Sequence, residues 1–219
     1  MTNATLTAEM LARFDNVTAA TAHEAMGRKG ALDSAIKPIR SGMRVIGPAF
    51  TCVCAPGDNL TLHAALKLAR PGDVIVCTAA AFTEQGLFGD VMASCAKGKG
   101  IAGLVVDGGV RDAAEIYKLD FPVFSRSISI KGTVKETLGP INQPVVVGGE
   151  LVSPGDLIIG DDDGVVVVPA AIVAETADAC IAREDKEARF REALLQGNTT
   201  WEMLNLNALM ERKGSSFRL

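Results

Sequence analysis

The chain has 219 residues, and its composition of 48% hydrophobic and 22% charged residues is that of a globular protein. These proportions exclude an intrinsically disordered or low-complexity chain. Asp and Glu outnumber Lys and Arg by 26 to 22 and the basic residues form no dense cluster, so we expect no binding to nucleic acid or to a membrane surface.

The beginning of the sequence and its cysteines predict a cytoplasmic protein. The first ten residues lack a basic region followed by an apolar stretch, and no apolar run approaches the roughly 18 residues of a membrane-spanning helix. The five cysteines are odd in number and lie in apolar or helical surroundings, as reduced core thiols do. Cys52 and Cys54 would face one side of a strand, but a metal site there would need further ligands.

The first third of the chain predicts two helices and a strand. Thr21-Ala-His-Glu24 fits the capping-box pattern, which predicts a helix start at Thr21. Residues 44–55 form a β-branched and apolar run, a strand candidate that Gly47-Pro48 interrupts. Asp58 stands where an N-cap is expected, ahead of a second helical segment.

From residue 74 the pattern becomes regular. Short apolar runs at 74–78, 103–106 and 122–124 alternate with helical segments at 91–97 and 112–119. This order predicts parallel strands joined by right-handed crossovers. The following segment contains short Val and Ile runs separated by Gly-Gly, Pro-Gly-Asp and Asp-Gly, which is typical of antiparallel hairpins. The two patterns together predict an α/β fold with a mixed sheet.

Two helices are predicted to close the chain, one from Pro169 to Leu195 and one at about 200–212. No low-complexity linker and no internal repeat divides the sequence. We therefore expect a single domain over residues 1–219, with a helical extension at about 169–219.

Several chemically suggestive features have simpler interpretations. Gly98-Lys-Gly-Ile-Ala-Gly103 matches GxGxxG, but it leaves a helix and enters a strand, the reverse of the order in dinucleotide-binding folds. Asp161-Asp-Asp-Gly164 begins like a calcium loop, yet Ala170 stands where the bidentate acid is required, so a hairpin turn is predicted. His23 and His63 lie on predicted helices without ligand or triad spacing, and neither is assigned to catalysis.

The strongest group of polar residues lies at the ends of two predicted strands, and its members come close together if those strands are neighbours in the sheet. Asp90 opens the helix after the strand at 74–78, while Arg111 and Asp112 open the helix after the next strand. Both turns lie at carboxyl ends of strands, where open α/β sheets bind ligands. Arginine and the free amides around Val91 and Met92 suit a substrate carboxylate, and the aspartates suit Mg²⁺ or Mn²⁺. Capping aspartates beside a solvated ion pair would give the same spacing, so this pattern alone leaves both interpretations open.

The spacing of Asp90, twenty residues and Arg111-Asp112 resembles the D-x20-R-D motif of a known family. These are the class II 4-hydroxy-4-methyl-2-oxoglutarate/4-carboxy-4-hydroxy-2-oxoadipate aldolases, relatives of the regulator of ribonuclease activity A. Further blocks resemble the family in order between about residues 17 and 212, among them Pro56-Gly-Asp-Asn59 and Gly160-Asp-Asp-Asp-Gly164.

The resemblance implies a swivelling β/β/α fold with a mixed central sheet and C-terminal helices, assembled as a homotrimer or homohexamer. It implies a carbon–carbon lyase that uses Mg²⁺ or Mn²⁺ to cleave one of these 2-oxo acids to pyruvate plus pyruvate or oxaloacetate. Oxaloacetate decarboxylation is the implied side activity, because it passes through the same pyruvate enolate.

The resemblance also implies residue roles. Asp112 matches the metal ligand and Asp90 the acid that fixes the waters on the metal. Arg111 matches the residue that holds the substrate's carboxylate and 2-oxo oxygen. The family's backbone contacts to the substrate carboxylate fall on the turn after the predicted strand at 74–78, at Gly89, Val91 and Met92.

The family also brings a glutamate from the neighbouring subunit's C-terminal helix into the site. Glu187 is the candidate here and Glu184, one turn away, is the alternative, although both also fit surface ion pairs. Family members that bind and inhibit a ribonuclease without catalysis lack the complete acidic set, which is present in this chain. A ribonuclease regulator and a related metal-dependent 2-oxo acid lyase or decarboxylase stay open as alternatives. A Schiff-base aldolase is disfavoured, because all ten lysines stand in polar or glycine-flanked stretches.

Overall fold

The computed structural model describes residues 6–214 of the chain. The strands among these residues are β1 (Lys37–Pro38), β2 (Val45–Val53), β3 (Val74–Gly86), β4 (Gly103–Val110), β5 (Val123–Ile128), β6 (Val145–Val147), β7 (Glu150–Val152), β8 (Leu157–Asp161) and β9 (Gly164–Val168). The helices are α1 (Ala8–Ala12), α2 (Ala19–Ala25), α3 (Leu60–Leu68), α4 (Asp90–Gly98), α5 (Ala113–Lys118), α6 (Val173–Leu195), α7 (Thr200–Met203) and α8 (Leu206–Arg212).

Seven of the strands form one mixed sheet in the order β1-β5-β4-β3-β2-β8-β9. The central pairs β2–β3, β3–β4 and β4–β5 are parallel, whereas β8 and β9 form an antiparallel hairpin that joins the sheet beside β2. The remaining strands, β6 and β7, form a separate antiparallel hairpin. The predicted mixed α/β class, with parallel strands followed by hairpins, is confirmed.

Strand β2 continues through Gly47-Pro48, where the sequence predicts an interruption. Its first half pairs antiparallel with β8 up to Pro48, and its second half pairs parallel with β3 from Ala49 onward. Proline has no N–H to give to a ladder, so a change of partner strand is a position where it is tolerated. A Cβ on Gly47 would lie within 3.0 Å of the Gly72 backbone, so glycine also permits this close approach.

Strands β3 and β4 are longer than the apolar runs that predict them. Register shifts follow Thr78 and Phe82 on β3, and Ala80 and Ala81 between them have φ of 53° and 59°. These bulges let β3 resume pairing with β4 as far as Gly86. The extension carries both strands to the turns that begin α4 and α5.

The helices differ from the prediction in several places, and α6 begins at Val173 and not at Pro169. Thr18, not Thr21, caps α2, since its Oγ1 accepts a hydrogen bond from Thr21 N at 3.0 Å. The Thr21 hydroxyl instead donates to Glu184 Oε1 at 2.7 Å, which ties α2 to α6. The last predicted helix is divided into α7 and α8, because Asn205 adopts the left-handed conformation with φ of 49°.

Apolar side chains fill both faces of the sheet. On one face α3, α4 and α5 pack over the central strands through residues such as Leu62, Met92 and Ile116. On the other face the β6–β7 hairpin packs through Val147 and its neighbours. A third cluster lies where α2 and the start of α6 cover β8 and β9, and it includes Cys180.

Four of the cysteines are buried and reduced, as predicted, whereas Cys95 on α4 is exposed. Burial, with a smaller contribution from Glu184, raises the pKa of the Cys180 thiol to about 11. Within residues 6–214, no helix is both long and apolar enough to cross a bilayer. Gly98 ends α4 before Gly103 opens β4, and Asp161–Gly164 is the β8–β9 turn, so both simpler interpretations are confirmed.

Candidate active site

Two turns meet at the carboxyl edge of the parallel strands. Gly86 on β3 pairs with Gly109 on β4, and Leu87 N donates to Gly109 O at 2.9 Å. Arg111 N then donates to Phe88 O, also at 2.9 Å. The turn that leads into α4 and the turn that leads into α5 are therefore hydrogen-bonded to each other.

Glycine is required in the turn that leads into α4, because side chains of the turn that leads into α5 pack against it. A Cβ on Gly86 would lie 2.7 Å from Arg111 Cβ, and one on Gly89 would lie closer than 3.0 Å to Asp112 Oδ2. Gly89 has φ of −134°, which any residue can adopt, so its requirement is for space and not for backbone freedom. Arg111 and Asp112 thus stand directly against the Gly86–Gly89 segment.

The carboxylate of Asp112 is not used as an ordinary helix cap. Asp112 occupies the N-cap position of α5 with a left-handed φ of 55°, and its side chain accepts no capping hydrogen bond. It lies instead 3.2 Å from Arg111 Nε, and the two side chains are 35% and 46% exposed. Asp90 is inside the first turn of α4, where Gly89 is the N-cap. The capping interpretation therefore explains neither aspartate.

Five of the predicted site residues line one cavity of about 360 Å³. Asp112 is not among its lining residues, but its Oδ2 lies 3.2 Å from Nε of Arg111, which is one of them. The start of α4 points its first backbone amides toward this region, and the positive end of the helix favours an anion there. The predicted residues that the structure brings together in the cavity are Gly89, Asp90, Val91, Met92 and Arg111.

Seven of the twelve lining residues are not among the predicted site residues, and three of the seven carry polar side chains that bear on the site: Asn59, His63 and Lys135. Asn59 is 6% exposed, and its Nδ2 donates to Leu87 O at 2.8 Å, which holds the first turn in place. Burial, together with the charge of Lys135, lowers the pKa of His63. Asn59 and His63 are four residues apart at the start of α3, so the helical period could have shown that they share a face. Lys135 reaches the cavity from a distant loop, for which the sequence has no signal.

Buried Asp58 fixes that loop. Its Oδ1 accepts from Leu60 N at 2.9 Å, and its Oδ2 accepts from Glu136 N and Thr137 N at 2.8 and 2.7 Å. These hydrogen bonds lower the pKa of Asp58. The residue was predicted as an N-cap, but the N-cap position belongs to Asn59, and Asp58 joins the start of α3 to the loop that carries Lys135.

The two candidate glutamates lie outside this cavity. Glu187 on α6 pairs with Arg183 at 2.7 Å and with Arg191 at 3.4 Å. Glu184 accepts from the hydroxyl of Thr21 and lies 3.5 Å from Arg191. Their part in a neighbouring subunit's site stays a prediction.

The donor set at the edge fits a hard divalent cation. In the described part of the chain, no group of three or more His, Cys, Asp and Glu side chains converges as a ligand cage. Asp112, free of a capping role, and Asp90 offer carboxylate oxygens beside an open cavity. Mg²⁺ and Mn²⁺ accept few protein carboxylates because they keep several waters and take further ligands from the substrate.

Comparison with known proteins supports the resemblance. The family model described as "RraA-like: Aldolase/RraA" matches residues 17–167. A protein of Halalkalibacterium halodurans named "Putative 4-hydroxy-4-methyl-2-oxoglutarate aldolase" is 40% identical over 161 residues, which cover 74% of this chain and 77% of that protein.

Solved structures show the same fold. A protein of unassigned function from Pseudomonas syringae superposes with a TM-score of 0.84 at 28% identity, covering 94% of this chain and 97% of its own. RraAS2 of Streptomyces coelicolor, described as an unusual member of the RNase ES inhibitor RraA family, superposes with a TM-score of 0.78 at 33% identity. That match covers 85% of this chain and 98% of the other.

Proposed function

The chain belongs to the RraA-like aldolase family, and we propose that it is a divalent-metal-dependent pyruvate aldolase. The substrate would be 4-hydroxy-4-methyl-2-oxoglutarate or 4-carboxy-4-hydroxy-2-oxoadipate, cleaved to pyruvate plus pyruvate or oxaloacetate. The observation that carries the proposal is the packing of Arg111 and Asp112 against the Gly86–Gly89 turn, beside the cavity that Asp90 lines. The named aldolase relative supports the same reaction class.

The two aspartates would hold the metal. Asp112 would be the protein ligand and Asp90 would orient waters around the ion, in keeping with a site that has few protein donors. When bound, Mg²⁺ or Mn²⁺ supplies Lewis-acid polarisation of the substrate's 2-oxo group.

The remaining groups of the cavity would bind the pyruvyl half and move the proton. The substrate carboxylate would accept hydrogen bonds from the amides of Val91 and Met92 at the start of α4. A water oriented by Asp90 would take the proton of the 4-hydroxyl, the C3–C4 bond would break, and its electron pair would form the pyruvate enolate. Arg111 would stabilise the enolate oxygen, and protonation at C3 would release pyruvate.

A second cation in the cavity favours a substrate with a second carboxylate. Lys135 lines the cavity together with Arg111, and within residues 6–214 its ammonium group has no ion-pair partner. Two cations in one cavity suit a dianionic ligand. Oxaloacetate, which is also a dianion and also yields the pyruvate enolate, would be decarboxylated as a side reaction.

A homotrimer or homohexamer would complete the site. We propose that Glu187 from α6 of a neighbouring subunit enters the cavity, with Glu184 as the alternative. Both glutamates have partners within one subunit, Glu187 in Arg183 and Arg191 and Glu184 in the hydroxyl of Thr21, so either would exchange these partners on entering the cavity.

A ribonuclease regulator is the second candidate, because the structural relatives include RraAS2, described as a member of an RNase inhibitor family. Such a protein would form a stoichiometric complex with a ribonuclease and would release no pyruvate from any 4-hydroxy-2-oxo acid. A metal-dependent lyase or decarboxylase for another 2-oxo acid is the third.

A coupled assay of pyruvate release separates these candidates. The purified chain is tested with Mg²⁺ on 4-hydroxy-4-methyl-2-oxoglutarate, 4-carboxy-4-hydroxy-2-oxoadipate, other 4-hydroxy-2-oxo acids and oxaloacetate. We expect turnover of 4-hydroxy-4-methyl-2-oxoglutarate or 4-carboxy-4-hydroxy-2-oxoadipate, and loss of this turnover in Asp112→Ala. Turnover should be unchanged in the control Asp15→Ala, which alters an exposed aspartate outside the cavity. A protein that turns over none of the hydroxylated acids would not be this aldolase.

A further inference from the structure

The cavity beside Arg111 continues between two helices. A second cavity of about 350 Å³ shares His63, Val91 and Met92 with the first, so the two are contiguous. We call the second cavity the α3–α4 groove, and its lining residues are His63, Leu66, Lys67, Val91, Met92, Cys95 and Lys99.

Helical spacing explains why these residues form a groove. His63 and Lys67 are four residues apart on α3, while Val91, Cys95 and Lys99 repeat at the same spacing along α4 and its C-cap. Residues four apart lie on one face of a helix, so two facing stripes make the walls. Eight residues at a rise of 1.5 Å give the α4 wall a length of ~12 Å from the site outward.

The far end of the groove is basic. No Asp or Glu lines it, although the chain as a whole has a net charge of −4. Lys99 Nζ donates to Leu66 O at 2.5 Å and to Lys67 O at 2.8 Å, so it joins the end of α4 to the end of α3 and closes the groove. Lys67 forms no ion pair with any described residue, which leaves its ammonium group available to a ligand.

We propose that the α3–α4 groove binds the distal arm of an elongated 2-oxo acid that ends in a carboxylate. The 2-oxo acid end would occupy the cavity at Arg111, the methylene chain would lie along Leu66 and Met92, and the terminal carboxylate would meet Lys67. Apolar walls favour methylene groups and a lysine favours the terminal charge. The proposal rests on the proposed function only in placing the 2-oxo acid end, and it extends the substrate range beyond the short dicarboxylates that Lys135 suits.

Cys95 makes occupancy of the groove measurable without any turnover. It is the one exposed cysteine of the five, so iodoacetamide should alkylate it first while the four buried thiols react slowly. Three ligands without a 4-hydroxyl group are compared in the presence of Mg²⁺. They are 2-oxosuberate, 2-oxooctanoate with the same carbon chain but no distal carboxylate, and 2-oxoglutarate with a chain too short for the groove.

We expect 2-oxosuberate to slow alkylation of Cys95 in a saturable manner and 2-oxoglutarate to leave the rate unchanged. Protection should be weaker by roughly 5-fold in ligand concentration when the ligand lacks the distal carboxylate, as in 2-oxooctanoate. The same loss is expected when the protein lacks the Lys67 ammonium group, as in Lys67→Met, because ~5-fold is the scale of a partly exposed ion pair. The matched control Lys29→Met changes an exposed lysine outside the groove and should protect as the wild type does. Cys95→Ser checks that the label reports this thiol.

Equal protection by all three ligands, or none by any, would overturn the proposal. Protection by inorganic phosphate at the same concentration would also overturn it, by showing a site for free anions and not for a substrate arm. The proposed function is tested separately, by pyruvate release from the 4-hydroxy-2-oxo acids and by its dependence on a divalent metal, so the two failures are distinguishable.

Discussion

A single added methyl group at Gly89 should disable the site without disturbing the fold. The Cβ of Gly89→Ala would lie closer than 3.0 Å to Asp112 Oδ2 and 3.1 Å from Arg111 Nε. Ordinary contact begins at 3.4 Å, so the Asp112 carboxylate or the turn must move by at least about 0.4 Å, close to the ~0.5 Å within which catalytic groups must be held. The methyl group would displace Asp112, the proposed metal ligand, and Arg111, the proposed stabiliser of the enolate.

We expect kcat/KM for pyruvate release to fall by roughly 10- to 100-fold in Gly89→Ala, since a displacement of ~1 Å typically costs about 100-fold. Gly98→Ala, at the other end of α4, is the matched control. A Cβ there meets nothing within 4 Å outside the helix itself, so activity should be unchanged and stability should rise by about 0.5 kcal/mol. Wild-type kcat/KM in a folded Gly89→Ala protein would refute the placement of Asp112 and Arg111 against this turn.

Three further changes test other parts of the molecule. Arg111→Ala should lower kcat by about 100-fold or more with little change in melting temperature, because it removes charge stabilisation and no buried contact; unchanged kcat would remove Arg111 from the mechanism. Asp58→Asn should lower the melting temperature at pH 7, and the difference from wild type should shrink as pH falls. Because hydrogen bonds lower the pKa of Asp58 in the folded protein, its carboxylate stabilises the fold above the pKa of the unfolded state, and this stabilisation is lost as the pH falls through the pKa of the folded state. A difference in melting temperature that does not change with pH would contradict this. Asp107→Ala should cost about 3 kcal/mol in denaturant unfolding, because the largely buried Arg126 loses its partner at 2.6 Å and keeps only Asp33, and the buried amide of Gly148 loses its acceptor. Arg28→Ala, which breaks the exposed pair with Glu24, should cost less than about 0.5 kcal/mol. Similar losses in the two variants would contradict the burial argument.

The regular middle of the sequence predicted the arrangement of the site. Alternating apolar runs and helical segments predicted β3, β4 and the helices that follow them. Because β3 and β4 are parallel and adjacent, Asp90 and Arg111 lie at the same edge of the sheet. The glycine- and proline-rich turns likewise predicted the β8–β9 hairpin. These features depend on local residue patterns and on general rules of chain connection.

What the sequence did not predict depends on contacts between distant segments. The sequence predicts Asp58 as a local cap, but its second oxygen accepts hydrogen bonds from Glu136 and Thr137, nearly eighty residues away. That attachment, together with backbone hydrogen bonds from Val134 to Gly57 and from Asn59 to Val134, holds the loop that brings Lys135 to the cavity. The bulge at Ala80 and Ala81 is also invisible locally, since alanine has no preference for a positive φ.

Metal dependence of pyruvate release tests the central claim most directly. The purified chain is treated exhaustively with EDTA, assayed on 4-hydroxy-4-methyl-2-oxoglutarate, and then titrated with Mg²⁺ or Mn²⁺. We predict that chelation abolishes pyruvate release, that either ion restores it, and that neither restores it in Asp112→Ala. Pyruvate release that persists at the wild-type rate after complete chelation would contradict the assignment of a metal-dependent aldolase.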